Sequence, residues 1–388
     1  MIYKCPHCDG ALEYNPKHGK MKCPYCGSHI RMQELKVEDY KLQKDDASEI
    51  HINDGETMSC KIYTCTTCAG ELAVNDVEAS TFCPYCGQPT IVFSRISQEL
   101  KPRYIVPFKI TKEQAIFNIR QRVSKSRFAP DDVRKFDIER IRGIYVPYWL
   151  FDLDFYDNIK FDGYTGSKNK SYWVYTREAA CSYNGITLDA SKNLNDELSI
   201  RLEPYDLTQV VPFEPGYLSG FYTDKFDVEE EQLVDAAVKR AMGFFDEEVR
   251  KSVEGTITGI RERNPQYCIK RTEYALLPAW FLTFRHKNVP YTLIVNGQTG
   301  KVVGSIPVDE EKMKKYFIGK AAMMFGIYAV FNVFFLAGGM YMSGFLTLIM
   351  SLVFYAVGRS KYRNYKQKLE LAKEAKINRY VKERQERT

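Results

Sequence analysis

"CPHCDGALEYNPKHGKMKCPYC", residues 5–26, returns sixty positions later as "CTTCAGELAVNDVEASTFCPYC", residues 65–86. Both stretches read C-x2-C-x14-C-x2-C, and all four thiols shift by the same sixty. Gly10, Leu12, Pro24, Tyr25 and Gly27 recur at Gly70, Leu72, Pro84, Tyr85 and Gly87, so a unit of roughly thirty residues is duplicated.

The chemistry that asks for this spacing is tetrahedral zinc. Two C-x2-C turns each offer two thiolates to one ion, and the residues between them form a hairpin that brings the turns together. The predicted ligands are Cys5, Cys8, Cys23 and Cys26 for one Zn2+, and Cys65, Cys68, Cys83 and Cys86 for a second. Gly27 and Gly87 follow the last ligand, where a left-handed backbone aims amide N–H groups at sulfur. So small a unit cannot bury enough apolar surface to hold itself, so metal binding is expected to supply folding free energy. Paired disulfides are the competing reading. Nothing around Met1-Ile2-Tyr3-Lys4-Cys5 resembles a secretory h-region, which argues for reduced thiols. Cys60, Cys181 and Cys268 fall outside the pattern and read as structural; His7 and His18 read as bystanders beside complete four-cysteine shells.

With 388 residues, 45% apolar and 14% aromatic, the chain has material for two or three domains. Its net charge of +6 is unevenly spread. Residues 312–388 carry +11, leaving about −5 on the rest, so basicity belongs to the C-terminal end. That end also holds 38 consecutive uncharged residues, 321–358, almost twice the about 20 that a bilayer crossing needs. Gly338-Gly339 and Ser343-Gly344 suit a turn in its middle. The expectation is a transmembrane helical hairpin over 316–358, with spans at about 317–337 and 340–357. Lysines at 312, 314, 315 and 320, and the basic residues after 358, place both flanks in the cytoplasm by the positive-inside tendency. This predicts a two-span protein of the inner membrane with cytoplasmic termini and a basic tail over 359–388.

Residues 31–59 read as a polar linker between ribbons at 1–30 and 60–95. The region 103–311 is predicted to be α+β, with antiparallel sheet and helices on one face. Thr111-Lys112-Glu113-Gln114 is a capping box ahead of Ile116, Ile119 and Val123 at helical spacing. Residues 146–161 alternate as a strand, 228–251 read as a helix, and Val295-Asn296-Gly297 marks a hairpin. Val-Pro-Phe, a helix and a Pro-x-Trp strand occur twice, so the region is either one fold or two related halves, about 103–200 and 205–311. Asp152, Asp154, Asp157 and Asp162 are candidates for acid and base, against the plainer reading of a solvated strand face. His286 reads as packed. Walker, dinucleotide, zincin and nucleophile-elbow motifs are absent from the sequence.

Two ribbons followed by "YIVPFKITKEQA", "GIYVPYWLFD", "NDELSIRLEPYDL", "VVPFEPGYLSGFYTDKFDV", "YALLPAWFLTF" and "VNGQTGKVVG", with an apolar C-terminal run, resemble the bacterial TFIIB-type zinc-ribbon membrane proteins. Members are often labelled after the primosomal replication-restart helicase; without a Walker motif the label implies no helicase activity here. The resemblance implies zinc at the eight cysteines, a membrane location and, in some Gram-positive operons, neighbourhood with phage-shock, membrane-stress proteins. Thr66-Thr67 departs from the Pro-x of the other knuckles.

The function these readings favour is a non-enzymatic scaffold, anchored in the bilayer, whose cytosolic ribbons recruit protein partners to the inner membrane face. Nucleic-acid binding by the ribbons is the alternative, disfavoured because residues 1–30 carry only about +2 and residues 60–95 about −1, before each Zn(Cys)4 centre adds negative charge. A zinc or redox sensor is the third reading.

Overall fold

The computed structural model describes residues 3–35, 56–74, 83–86, 91–135 and 140–337, apart from 168, 193, 195 and 288, together with 356, 359, 360, 362 and 363. The elements, in chain order, are β1 (Glu13–Asn15), β2 (Lys20–Lys22), β3 (His29–Ile30), β4 (Thr57–Cys65), β5 (Glu71–Val74), β6 (Ile91–Leu100), β7 (Tyr104–Ile105), α1 (Lys112–Lys125) and α2 (Asp131–Arg134). They continue as β8 (Ile141–Thr165), β9 (Ser171–Asp189), α3 (Asp196–Leu202), β10 (Val211–Pro212), β11 (Tyr222–Asp224), α4 (Glu230–Lys251), β12 (Thr256–Arg263), β13 (Gln266–His286), β14 (Val289–Asn296), β15 (Val302–Gly304) and α5 (Glu310–Ala337). Two compact units result: Met1–Ser126 with Asp131–Ile306, and Arg127–Pro130 with Pro307–Thr388.

The first unit is built on a mixed sheet that is twelve-stranded among the described residues, with order β10-β7-β13-β8-β11-β5-β4-β6 along its main path. Its axis is the antiparallel pair β8 and β13, in register from Ile141↔Leu282 to Tyr156↔Gln266. Gly143 to Phe151 on β8 and Glu273 to Phe284 on β13 are buried without interruption, as strands covered on both faces must be. From Asp152 onward β8 alternates, and Leu153, Phe155, Ile159 and Phe161 turn to the buried face. Ala237, Ala241, Phe245 and Val249 are the buried residues of α4, and the Phe245 ring sits 5.4 Å from Phe155. The capping box forms: Thr111 accepts from the Gln114 N–H at 3.3 Å, and Gln114 accepts from the Thr111 N–H at 2.9 Å. The two Pro-x-Trp strands are direct neighbours, with Pro147 opposite Leu276 and Pro278 opposite Tyr145.

The separate small ribbon expected at residues 60–95 is corrected. β5 pairs antiparallel with β11 through Thr223↔Ala73 and Asp224↔Leu72, and β11 runs parallel to β8 through Tyr222↔Ile144. The reason is apolar burial that the ribbon cannot supply alone. Leu72 joins a core cluster with Ile144, Tyr148, Tyr222 and Phe281, against which Tyr63 and Tyr85 also pack. The first ribbon keeps its own three-stranded sheet, β1-β2-β3. Of the linker, 36–55 lies outside the described residues and Thr57 onward is already β4.

The membrane hairpin is overturned. Among the described residues no helix is long and apolar enough to cross a membrane. α5 spends its first turns on Glu310, Glu311, Lys312, Lys314, Lys315 and Lys320. The second span falls outside the described residues except for Ala356, as does the tail from 364. The two-span placement in the inner membrane therefore goes with the hairpin. Within this second unit Phe128 meets Tyr316 edge-on and stacks on Phe317, and the Asp309 N–H donates to the Phe128 carbonyl at 2.8 Å.

Candidate metal centres

The eight predicted thiols gather into two groups of four, and within each group the sulfur atoms all lie within 4.8 Å of one another. In the first, Cys5 Sγ is 3.6 Å from Cys26 Sγ and Cys8 Sγ is 3.4 Å from Cys23 Sγ. In the second, Cys65–Cys86 and Cys68–Cys83 are both 3.7 Å apart. A tetrahedral ion held by thiolates at about 2.3 Å needs sulfur–sulfur edges of about 3.8 Å, so both groups fit one such ion. The Ser28 hydroxyl and N–H pull the Cys26 thiol down to about 6. Hydrogen bonding with the Cys68 and Cys86 thiols raises Cys83, the expected state of crowded sulfurs that a cation would resolve.

Local backbone shapes each clasp. The Cys5 N–H donates to the Gly10 carbonyl and the Asp9 N–H to Cys5, each at 2.8 Å; Cys65, Ala69 and Gly70 repeat the pattern. This turn places Asp9 at φ 59° and Ala69 at φ 58°, left-handed positions that the sequence reading assigned only to the glycine after the last ligand. Gly27 is indeed left-handed at φ 77°, while Gly87 lies outside the described residues. Gly10 and Gly70 are required for space: a Cβ would meet the Cδ2 of Tyr25 at 2.5 Å and of Tyr85 at 2.9 Å. Tyrosine over glycine is thus the shared inner packing of both knuckles.

Their outer surroundings differ. Tyr25 is 79% exposed, and Cys8 and Cys26 are exposed with it. Tyr85 packs into the main core with its ring 6.0 Å from Phe281, Cys83 and Cys86 are buried, and the Thr283 hydroxyl donates to the Pro84 carbonyl. The pentapeptides are identical, so the signal for this difference lies outside the repeat, in Thr283 and the core around it.

Both clasps also rest on one short stretch, Glu214 to Asp224. The Tyr14 N–H of the first donates to the Ser219 carbonyl at 3.1 Å, the Tyr14 and Tyr217 rings meet edge-on at 5.2 Å, and Met32 packs on Gly216. The second holds Thr223 and Asp224 by strand pairing. Buried Asp224 accepts from the Ser191 hydroxyl and is the neighbour that, after burial itself, raises the Tyr85 hydroxyl.

The other candidates lie elsewhere. His7 and His18 are not among the clustered ligands, and His18 packs edge-on to His29 at 4.9 Å. Cys60 is buried, which pushes its thiol up to about 11; Cys181 and Cys268 belong to neither group of four. Asp152, Asp154 and Asp162 pair with Arg271, Lys270 and Arg261 at 2.6 to 2.7 Å. Asp157 faces the other way, fully buried, and accepts from Arg263 at 2.8 Å and the Asn264 N–H at 2.9 Å. His286 is 2.8 Å from Asp132.

A Bacillus subtilis (strain 168) protein, "Uncharacterized protein YdjG", is 27% identical over 337 residues, spanning 83% of this chain and 95% of the relative. The likeness therefore extends far beyond the cysteine clasps. No family model and no solved structure matches the chain.

Proposed function

We propose that this chain is a non-enzymatic zinc adaptor: a rigid sheet, closed by a zinc clasp at Cys65, Cys68, Cys83 and Cys86, presents a second zinc clasp at Cys5, Cys8, Cys23 and Cys26 to a protein partner. The observation that carries this reading is the contrast of Tyr25, 79% exposed, with its half-buried counterpart Tyr85, which packs against the main core. A tyrosine held over Gly10 is a pre-ordered anchor of the type that concentrates interface energy. Protein is favoured over nucleic acid because the first ribbon's charge of about +2 is cancelled by a Zn(Cys)4 centre. The acidic side chains on β8 support a structural role, each already engaged by a cation. Exposure of Cys8 and Cys26 favours, as second reading, a redox or zinc sensor.

The test is crosslinking in intact cells, comparing wild type with Tyr25→Ala, Cys23→Ser and Cys83→Ser, scoring proteins and nucleic acid. A protein crosslinked by wild type, lost with Tyr25→Ala, and binding the purified chain at fixed stoichiometry supports the adaptor. Nucleic acid lost with the same variant, or no Tyr25-dependent partner, overturns it. Metal release by mild peroxide with no such partner would favour the sensor.

A further inference from the structure

Between the first ribbon and the main sheet lies a cavity of about 520 Å3, well inside the size range of small-molecule sites. Tyr14, Pro16 and Tyr217 line one side, and Val106 and Pro107 the other. Gln209 and Gln298 also line it, but their amides are already used. Gln298 accepts from the Asp206 N–H at 2.7 Å and donates to the Asp206 carbonyl at 3.0 Å and to Gln209 at 3.2 Å. Gln209 donates to the Asp206 carboxylate at 2.5 Å.

What is left over offers two cations and two hydroxyl donors. Lys17 and Lys109 line the cavity, and no Asp or Glu is among its lining residues. The hydroxyls of Tyr14 and Tyr217 have no hydrogen-bond partner among the described residues, and burial raises both, so they keep their protons. Two carboxylates act on the lining groups without lining the space themselves. Asp206, which feels Lys109, is tied to the Thr208 hydroxyl and N–H; Glu214 acts on Tyr217 without lining the space.

We propose that this cavity binds a small organic anion, a carboxylate or phosphate monoester on a flat apolar body, with Lys17 and Lys109 meeting the charge and Tyr14 and Tyr217 donating from the side. Two cations and two neutral donors, with no acid among the lining residues, suit an anion, and proline and aromatic walls suit an apolar body. Tyr14, Pro16 and Lys17 belong to the ribbon while Val106, Pro107 and Lys109 belong to the segment leading from β7 to α1, so an occupant fastens one to the other. The proposal is independent of the adaptor reading.

The experiment titrates the metal-loaded full chain with phenyl phosphate, benzoate, inorganic phosphate and neutral benzyl alcohol by calorimetry. Phenyl phosphate or benzoate should bind one to one, at least tenfold more tightly than benzyl alcohol or inorganic phosphate; which of the two is tighter identifies the acid group. Lys17→Gln with Lys109→Gln should weaken that binding at least tenfold while retaining both metal ions and the wild-type melting temperature, and Tyr14→Phe with Tyr217→Phe should weaken it a few-fold. Equal binding of the neutral probe, equal binding of inorganic phosphate, no saturation by either aromatic anion, or undiminished binding by the glutamine variant would each overturn the proposal.

Discussion

The Thr283 hydroxyl donates to the carbonyl of Pro84, 199 residues away in sequence, and so fixes a metal knuckle to the central strand of the sheet. Thr283 is itself 3% exposed, and its hydroxyl also lies 3.1 Å from that of Thr292. Thr283→Val preserves shape but leaves a buried carbonyl without its donor, which costs about 1–3 kcal/mol. The variant is expected to unfold at correspondingly lower denaturant and to release the second zinc faster, with a smaller effect on the first. Unaltered release from the second clasp would show that the hydrogen bond does not secure it.

Chelator should separate the two ions. Cys8 and Cys26 are open to solvent while Cys83 and Cys86 are buried, so release followed with a colorimetric zinc indicator should show one fast and one slow equivalent. Cys23→Ser removes the fast phase and Cys83→Ser the slow one. Loss of the slow ion is also expected to lower the melting temperature of the main sheet, since β4 and β5 are strands of it. A single phase would contradict the asymmetry.

Ala69 sits at φ 58°, a conformation that an L side chain resists. Ala69→Gly should therefore stabilise the chain by about 0.5–1 kcal/mol after allowing for glycine's extra freedom when unfolded. Ala69→Val should do the reverse. Thermal melts of the zinc-loaded pair give the sign directly.

The first ribbon's seat is addressed by Gly216, where an added Cβ would run into the Met32 sulfur and also approach the Tyr3 ring at 3.3 Å. Gly216→Val should loosen that ribbon, seen as increased proteolysis within residues 3–35, with a smaller change in zinc release from the second clasp. Protection equal to wild type would mean that Met32 simply moves aside.

Asp154 is held below its ordinary value by the hydrogen bond from Lys270 and then by that from Ser182. A depressed folded value stabilises above the unfolded one, near 3.9, and the contribution disappears as pH falls through the folded value. Asp154→Asn should therefore melt below wild type at about pH 5 to 7 and converge on it only as pH falls below about 3.9 and through the depressed folded value of Asp154. Metal loss in acid affects both proteins and drops out of the difference; a gap independent of pH would contradict the assignment.

The clasps, α1 with its capping box and the strand character of 146–161 were legible because each depends on neighbours in the chain. The extent of the sheet was not. β8 pairs with β13 from more than a hundred residues away, and the incorporation of β5 through Ala73 and Leu72 depends on where Thr223 and Asp224 come to lie. Alternation along 152–161 gave the strand but could not tell that Asp157, one position out of step with Asp152 and Asp154, turns inward to Arg263. The uncharged run at 321–358 was read by composition alone, and the charged residues that open α5 show how little of a helix's course composition fixes.

Because Glu214 to Asp224 supports both clasps, the two metal ions cannot be thermodynamically independent. Whatever the first ion gains by ordering Tyr217 and Ser219 is offered, through Tyr222 to Asp224, to the second. Linkage requires the exchange to be mutual: if filling one site tightens the other by some factor, filling the other tightens the first by the same factor. An event at exposed Tyr25 that strained the first clasp would then register as a changed affinity in a buried one that it never touches.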